Sequence, residues 1–497
     1  MFAHKYLMKV VASLIFSVSS FISLIFMTRY VGEAYGMMMW GMALVATFNS
    51  ALDIGFRTAT IKMVSGGEDL NKCVSTYLAI RIGISAATAF LVLLTSLIMS
   101  VVGEDVYPSE FWAVAGVFIV YYILDNFHSV MAATFIGRME AGKESIVLTA
   151  EYLTRSAALI VLAVFGASAV LLSFGYLIGG AFAVTTAFIL FRRIKVKLVR
   201  PAFFKEYALF VTPLAIPLIL SSVVAYIDKV MIGAFYGEIE VGYYAAAAGI
   251  IYSLVSLGTV MNGLLLSHMT KLNVEGKKRE ARDTLWAAQR YLAMLMLPAT
   301  VFLLIFGNEA AVALFKDGFA ASGPILSVLA FTIYLKILSG MFSQVLFSMG
   351  HTKSYGRSTI AHTVLILLLF VILIPGQFFS ILSGGVGAAT AVVVGKLLFV
   401  ILLILSIKRL GASSLYPRIY LHIITALVVM VMLYCVKILF EPSGLVPLIL
   451  LAMLSVVIYA TVLMLIKEIT KKDIAFIRDT LNPKNLYDDF ISEIRRE

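Results

Sequence analysis

Charge is what this sequence has least of. Charged residues make up 13% of 497, whereas a soluble domain carries about 25%, and so little charge cannot build an ordinary water-facing surface. Cysteine is nearly absent. Cys73 and Cys435 are the two present, near opposite ends of different apolar stretches, which excludes a disulfide framework and a thiolate metal site. The six histidines (His4, His128, His268, His351, His362, His422) show no metal-ligand spacing with Asp, Glu or Cys, so no metal and no cofactor is expected. No GxxxxGK[ST] loop occurs and no soluble segment is long enough for a nucleotide-binding domain. The chain is therefore not an ATP-driven pump by itself, and an ion gradient or the substrate's own gradient must supply the energy. The longest outer connection, from Gly307 to Gly323, is only about 17 residues. No enzymatic activity is expected.

Apolar residues, by contrast, make up 61%, with a mean hydropathy of +0.99. Runs long enough to cross a hydrocarbon core of about 30 Å lie at roughly 7–30, 36–64, 73–100, 108–135, 146–167, 169–192, 206–236, 239–268, 285–306, 324–349, 356–380, 385–408, 419–440 and 444–467. The pattern predicts an all-α polytopic membrane protein of about fourteen transmembrane helices. The first run is too long, and its flanks too poor in a cleavage site, for a removed signal peptide.

Basic residues set the orientation. With the N-terminus inside, the inner connections hold Lys62 and Lys72, Arg138 and Lys143, the group from Arg192 to Lys205, the group from Lys271 to Arg282, Lys353 and Arg357, and Lys408, Arg409 and Arg418. The outer connections hold few beyond Arg29, Lys316 and Lys437. Both termini are expected in the cytoplasm. The net charge of +11 then faces anionic lipid headgroups in short loops, and no nucleic-acid partner is expected.

The chain also repeats itself. Val31-Gly32-Glu33-Ala34-Tyr35-Gly36 is echoed about 205 positions later by the stretch from Tyr236-Gly237-Glu238 to Val241-Gly242-Tyr243. The stretch from Gly137 to Lys143 answers that from Met349 to Gly356, and Phe191-Arg192-Arg193 answers Ile407-Lys408-Arg409. The expected organisation is an N-terminal six-helix lobe over 1–200, a homologous lobe over 201–412, two additional helices over 413–467, and a cytoplasmic amphipathic tail over 468–497. Paired halves in a membrane protein point to a carrier that works by alternating access around a central cavity.

The segment Tyr226-Ile227-Asp228-Lys229-Val230-Met231-Ile232-Gly233, followed by Val241-Gly242-Tyr243-Tyr244 and preceded by Pro213 and Pro217, carries a resemblance. With Gly32, Tyr35-Gly36 and Asp53-Ile54-Gly55 of the first half, it resembles the Wzx-type polysaccharide (O-antigen) flippases of the multidrug/oligosaccharidyl-lipid/polysaccharide exporter superfamily. The resemblance runs from about residue 5 to 467. It implies a twelve-helix core with two extra helices, and movement of an isoprenoid-phosphate- or pyrophosphate-linked oligosaccharide between leaflets. A glycosyltransferase or polymerase of the same pathway is the candidate protein partner, with the C-terminal tail on the inner membrane surface as its docking segment. The sister flippases of the peptidoglycan precursor lipid II place several arginines in their first helix, where this chain has only Arg29. The drug exporters of the superfamily usually stop at twelve helices. A lipid II-type flippase and an ion-coupled exporter of small organic molecules stand as the alternatives.

Charges inside the spans mark the candidate site, because each costs at least about 2.5 to 3.5 kcal/mol at membrane depth. In the first half Asp53 and Arg57 are spaced i, i+4 on span 2, Glu151 and Arg155 likewise on span 5, and Asp125 lies at a depth near both and near Arg81. A mutually satisfied structural network and a binding site fit this half equally well. In the second half Lys336 and Lys396 fall near the middle of spans 10 and 12, while Asp228 lies nearer the outer end beside Lys229. The expected substrate-binding residues are Lys336, Lys396, Arg57, Arg81, Arg155 and Lys229. Asp53, Asp125, Glu151 and Asp228 are expected to form a gating and ion-pair network.

Overall fold

The computed structural model describes residues 2–102, 107–377, 380–411, 415–469 and 473. Among these the regular structure is helical throughout. In chain order the helices are α1 (Phe2–Tyr30), α2 (Gly32–Leu52), α3 (Phe56–Ser65), α4 (Leu70–Val102), α5 (Ser109–Gly137), α6 (Ala141–Val164), α7 (Ala169–Phe191), α8 (Phe204–Val274), α9 (Lys278–Phe315), α10 (Ser322–Ser348), α11 (Thr352–Leu373), α12 (Gly384–Arg409), α13 (Ile419–Phe440) and α14 (Leu445–Leu465).

Among the described residues twelve helices are long and apolar enough to cross a membrane, and α2 with α3, bent by 46°, makes a thirteenth as one broken span. The 71 residues of α8 contain two of the apolar runs, and the helix leaves helical geometry between them at Gly237, with φ 80° and ψ −177°. Divided there, the described residues offer fourteen candidate crossings, in line with the apolar runs of the sequence. Burial within the protein does not account for this apolarity: over Leu70–Val101, mean hydropathy reaches 2.2 while 17% of the most apolar window is buried. Such a helix is stable only with hydrocarbon on its outer side. This is a multi-pass membrane protein.

Two compact units form. The first comprises Leu14–Ser253 and Lys353–Phe399, and the second Met1–Ser13, Leu254–Thr352 and Val400–Glu497. In the second unit α9 packs on α10, α13 and α14, and Lys437 of α13 reaches Glu309 of α9 at 2.8 Å. Tyr416 donates to Glu468, and Tyr291 to Asp473 at 2.8 Å. The rest of the expected tail over 468–497, apart from Ile469, lies outside the described residues.

The sequence echo has a structural counterpart at two helix ends. After α5, Arg138, Met139 and Glu140 donate their N–H groups to Thr134, Ile136 and Phe135; after α10, Met349, Gly350 and His351 donate to Val345, Phe347 and Leu346. Met139 and Gly350 both take the left-handed conformation, at φ 61° and 76°. The same C-terminal cap thus closes both helices. A second echo meets inside the first unit. A Cβ at Gly36 would lie 2.1 Å from the Glu238 carbonyl oxygen, and one at Gly242 would lie 3.3 Å from Gly36 Cα. Here α2 and α8 touch backbone to backbone.

The break between α2 and α3 shapes the site. Asp53 caps α2 with its N–H on Asn49 O, and Gly55, at φ 100°, begins α3 in a conformation that a side chain would strain. Span 2 is therefore not one continuous helix, and the i, i+4 relation expected between Asp53 and Arg57 does not hold.

Candidate functional site

A polar cavity of about 630 Å³ opens in the first unit, within the size range of small-molecule sites. Asn49, Ser50 and Asp53 reach it from the end of α2, Arg57 from α3, and Arg81 from α4. On α5, Tyr121, Tyr122, Asp125, His128, Ser129 and Ala132 line it, all on one face by their i, i+3, i+4 spacing. On α6, Glu144, Leu148, Glu151 and Arg155 do so by the same periodicity, with Tyr152 beside them, and α8 adds Ser222 and Tyr226.

Arg81 is the centre of the hydrogen-bonding network. With 4% of its side chain exposed it donates to Asp53 Oδ2 at 2.8 Å, to Asn126 Oδ1 at 2.9 Å and to Tyr77 Oη. Asn126 passes the network on, donating to Asn49 Oδ1 at 3.0 Å and Ser85 Oγ at 2.9 Å. Arg57 turns away from Asp53 and donates to Glu144, a buried carboxylate on α6. The expected Asp53–Arg57 partnership is thereby corrected: the helix break sends the two side chains to different helices. Glu151 and Arg155 do pair as their spacing predicts, at 3.1 Å, and Tyr121 Oη donates to the same Glu151 oxygen at 3.4 Å. Asp125 faces His128, with Oδ1 4.0 Å from Nδ1.

The lining therefore contains three arginines, each matched to its own carboxylate, and a fourth carboxylate, Asp125, that is 38% exposed. Paired guanidiniums hold the walls rigid, while tyrosines, serines and amides offer hydrogen bonds and ring faces to a polar guest.

Lys229 and Asp228 are buried on α8, 3.2 Å apart, and Tyr244 Oη donates to Asp228 at 2.8 Å. Lys229 and Arg155 both border a second, largely apolar cavity of about 220 Å³ with Leu24, Met27 and Leu159. The structure does not bring Lys336 or Lys396 to either cavity. Lys336 is half-buried on α10. Lys396, half-buried on α12, stands 5.2 Å over the Phe399 ring, against which His362 stacks at 4.2 Å. Sequence reasoning missed Glu144, His128, Asn49 and Asn126. The spacing of Glu144, Glu151 and Arg155, seven then four residues apart, was the available signal for the first, since it places all three on one helical face.

The sequence matches the polysaccharide biosynthesis protein family over residues 26–324. The chain belongs to that family. No curated protein matches it significantly. Among solved structures it is similar to the lipid II flippase MurJ in an inward closed conformation, at 14% identity and a TM-score of 0.72, covering 91% of this chain and 97% of that one. It is also similar to an inward-facing multidrug resistance MATE transporter of the MOP superfamily, at 13% identity and 0.57, covering 82% and 94%. A MOP superfamily transporter from Pyrococcus furiosus matches at 14% identity and 0.53, covering 82% and 95%. The family member described here thus has the fold of the MOP superfamily transporters.

Proposed function

We propose that this protein is a carrier, not an enzyme, that moves a lipid-linked oligosaccharide from the inner to the outer leaflet of a prokaryotic cell membrane. The glycan, on an isoprenoid phosphate or pyrophosphate, would serve cell-surface polysaccharide or glycoprotein assembly. The observation that carries this reading is the polar cavity of the first unit, sunk among apolar spans and lined by Tyr122, Tyr152 and Tyr226 with Asn49, Ser50, Ser129 and Ser222. Ring faces and neutral hydrogen-bonding groups suit a sugar, which has both apolar faces and hydroxyls. Membership of a polysaccharide biosynthesis family supports the same substrate class.

On this reading the lobes 1–200 and 201–412 rock about the cavity in alternating access, with both termini in the cytoplasm. Lys336 and Lys396 would attract the phosphate, with Arg57, Arg81, Arg155 and Lys229 as further cations, and Asp53, Asp125, Glu151 and Asp228 would form the gating network. A pathway glycosyltransferase or polymerase would take up the product.

Complementation tests the reading. Cells lacking their own polysaccharide flippase should regain surface glycan when this chain is expressed, and lipid-linked glycan should move to the outer leaflet in proteoliposomes. Rescue of a strain lacking its lipid II flippase, or drug efflux without glycan export, would replace the reading by the corresponding alternative.

A further inference from the structure

The polar cavity holds one carboxylate more than it holds arginines. Glu144, Asp53 and Glu151 are each engaged by a guanidinium, from Arg57, Arg81 and Arg155. Asp125 remains facing the cavity, and its ion-pairing neighbour is the ring of His128. That ring is 7% exposed, and its Nε2 is buried with no hydrogen-bond partner among the described residues. Both residues lie within the span Ser109–Gly137, where an uncompensated charge is costly. Removing that cost requires a positive charge, and the two side chains can take one up as a proton.

We propose that Asp125 and His128 form a proton-binding dyad that gives the carrier its coupling ion. One proton moves from cavity water onto the carboxylate, or onto the imidazole so that it faces the carboxylate as a cation; no bond between heavy atoms forms or breaks. Geometry favours the proton over a metal cation. Asp125 faces a ring nitrogen that is itself a proton carrier, whereas hard cations such as sodium require several oxygen ligands. The surroundings keep the charge local. From α2 and α6 the dyad shares the cavity with Asp53, Glu144 and Glu151, all matched, and from α4, α3 and α6 with Arg81, Arg57 and Arg155, which match them in that order. The phenols Tyr121 and Tyr122 flank it on α5, with Tyr152 on α6 and Tyr226 on α8. A proton arriving at the dyad therefore changes the net charge of the cavity by one without breaking an arginine pair.

The inference rests on the carrier reading for its role in transport, and the protonation itself is measurable without any substrate. Infrared difference spectra of the full chain in lipid, recorded between neutral and acidic pH, should contain a carboxylic-acid C=O band that is lost in Asp125→Asn and displaced in Asp125→Glu and in His128→Gln. Replacing sodium by choline should leave the band unchanged. Persistence of the band in Asp125→Asn, its loss in Glu151→Gln instead, or a sodium response in place of a pH response would overturn the dyad. If Asp125→Asn does not insert, the Asp125→Glu displacement decides alone, and an undisplaced band refutes the proposal. In export assays the pH-gradient dependence should vanish with Asp125→Asn. A correct infrared result without any glycan export would instead count against the carrier reading.

Discussion

Replacing Arg81 by Met tests whether the ion pairs of the cavity are structural supports. Arg81 is the most enclosed of the three arginines, and its side chain holds three acceptors on three helices or breaks: Asp53 at the end of α2, Tyr77 on its own helix and Asn126 on α5. Met has a similar apolar stem and no donor. The substitution leaves a carboxylate that is 26% exposed, together with two neutral acceptors, without their cation. Breaking a buried pair from one side costs about 3 to 5 kcal/mol, more than the roughly 1.5 to 3 kcal/mol of a single charged hydrogen bond. Water reaching Asp53 should hold the loss to the lower half of that range, about 3 to 4 kcal/mol. Asp53→Asn should recover part of it in combination, so that the double mutant falls short of the summed single losses by at least about 2 kcal/mol. Equilibrium unfolding of the full chain in mixed micelles, followed by loss of helicity, gives all four corners of the cycle. A loss below about 0.5 kcal/mol for Arg81→Met, or strict additivity, would refute the reasoning.

Four further outcomes are expected. Gly233→Ala should lower stability by about 1 to 3 kcal/mol through overpacking, because its Cβ would lie 2.2 Å from the Trp40 ring; a melting temperature equal to wild type would refute this. Lys336→Gln with Lys396→Gln should leave the protein inserted but reduce glycan export by about tenfold or more, with Arg at either site only partly active; full export in the double mutant would remove both lysines from the substrate path. Single cysteines at Lys143 and Arg279 should label only from the cytoplasm and one at Glu441 from outside; external labelling at Arg279 would overturn the orientation. Burial raises the Glu140 carboxyl, but hydrogen bonds from Lys143 and Arg138 outweigh it and hold the group below its ordinary value of 4.5. Its contribution is therefore present above that pH and lost as pH falls through the lowered value. Glu140→Gln should lose under about 1 kcal/mol at neutral pH and nothing at strongly acidic pH; an equal loss at both would exclude the ion pairs as its source.

The spans were legible because hydrocarbon imposes one rule on every crossing, a sufficient length of apolar residues, and α7 and α14 obey it without local exceptions. The Glu151–Arg155 pair was legible for a related reason, since an uninterrupted helix converts spacing into distance. Asp53 and Arg57 were not, because Gly55 ends that conversion between them. Once a helix breaks, the partner of each charge is chosen by tertiary neighbours, and neither Glu144 nor Asn126 is near these residues in sequence. Asp125 and His128 stand i, i+3 on the uninterrupted α5, so their closeness was legible in the chain; that both face the cavity was not.

The meeting of Gly36 with Gly242 has a consequence for how such a chain can vary. The two glycines lie on different helices whose backbones meet, and each can mutate alone. A Cβ at Gly36 would strike the Glu238 carbonyl, which is main chain and stays in place whatever residue stands at 242. Enlargement at Gly36 is therefore barred even when Gly242 remains glycine, because the obstacle is a peptide group and no change of neighbouring side chain removes it.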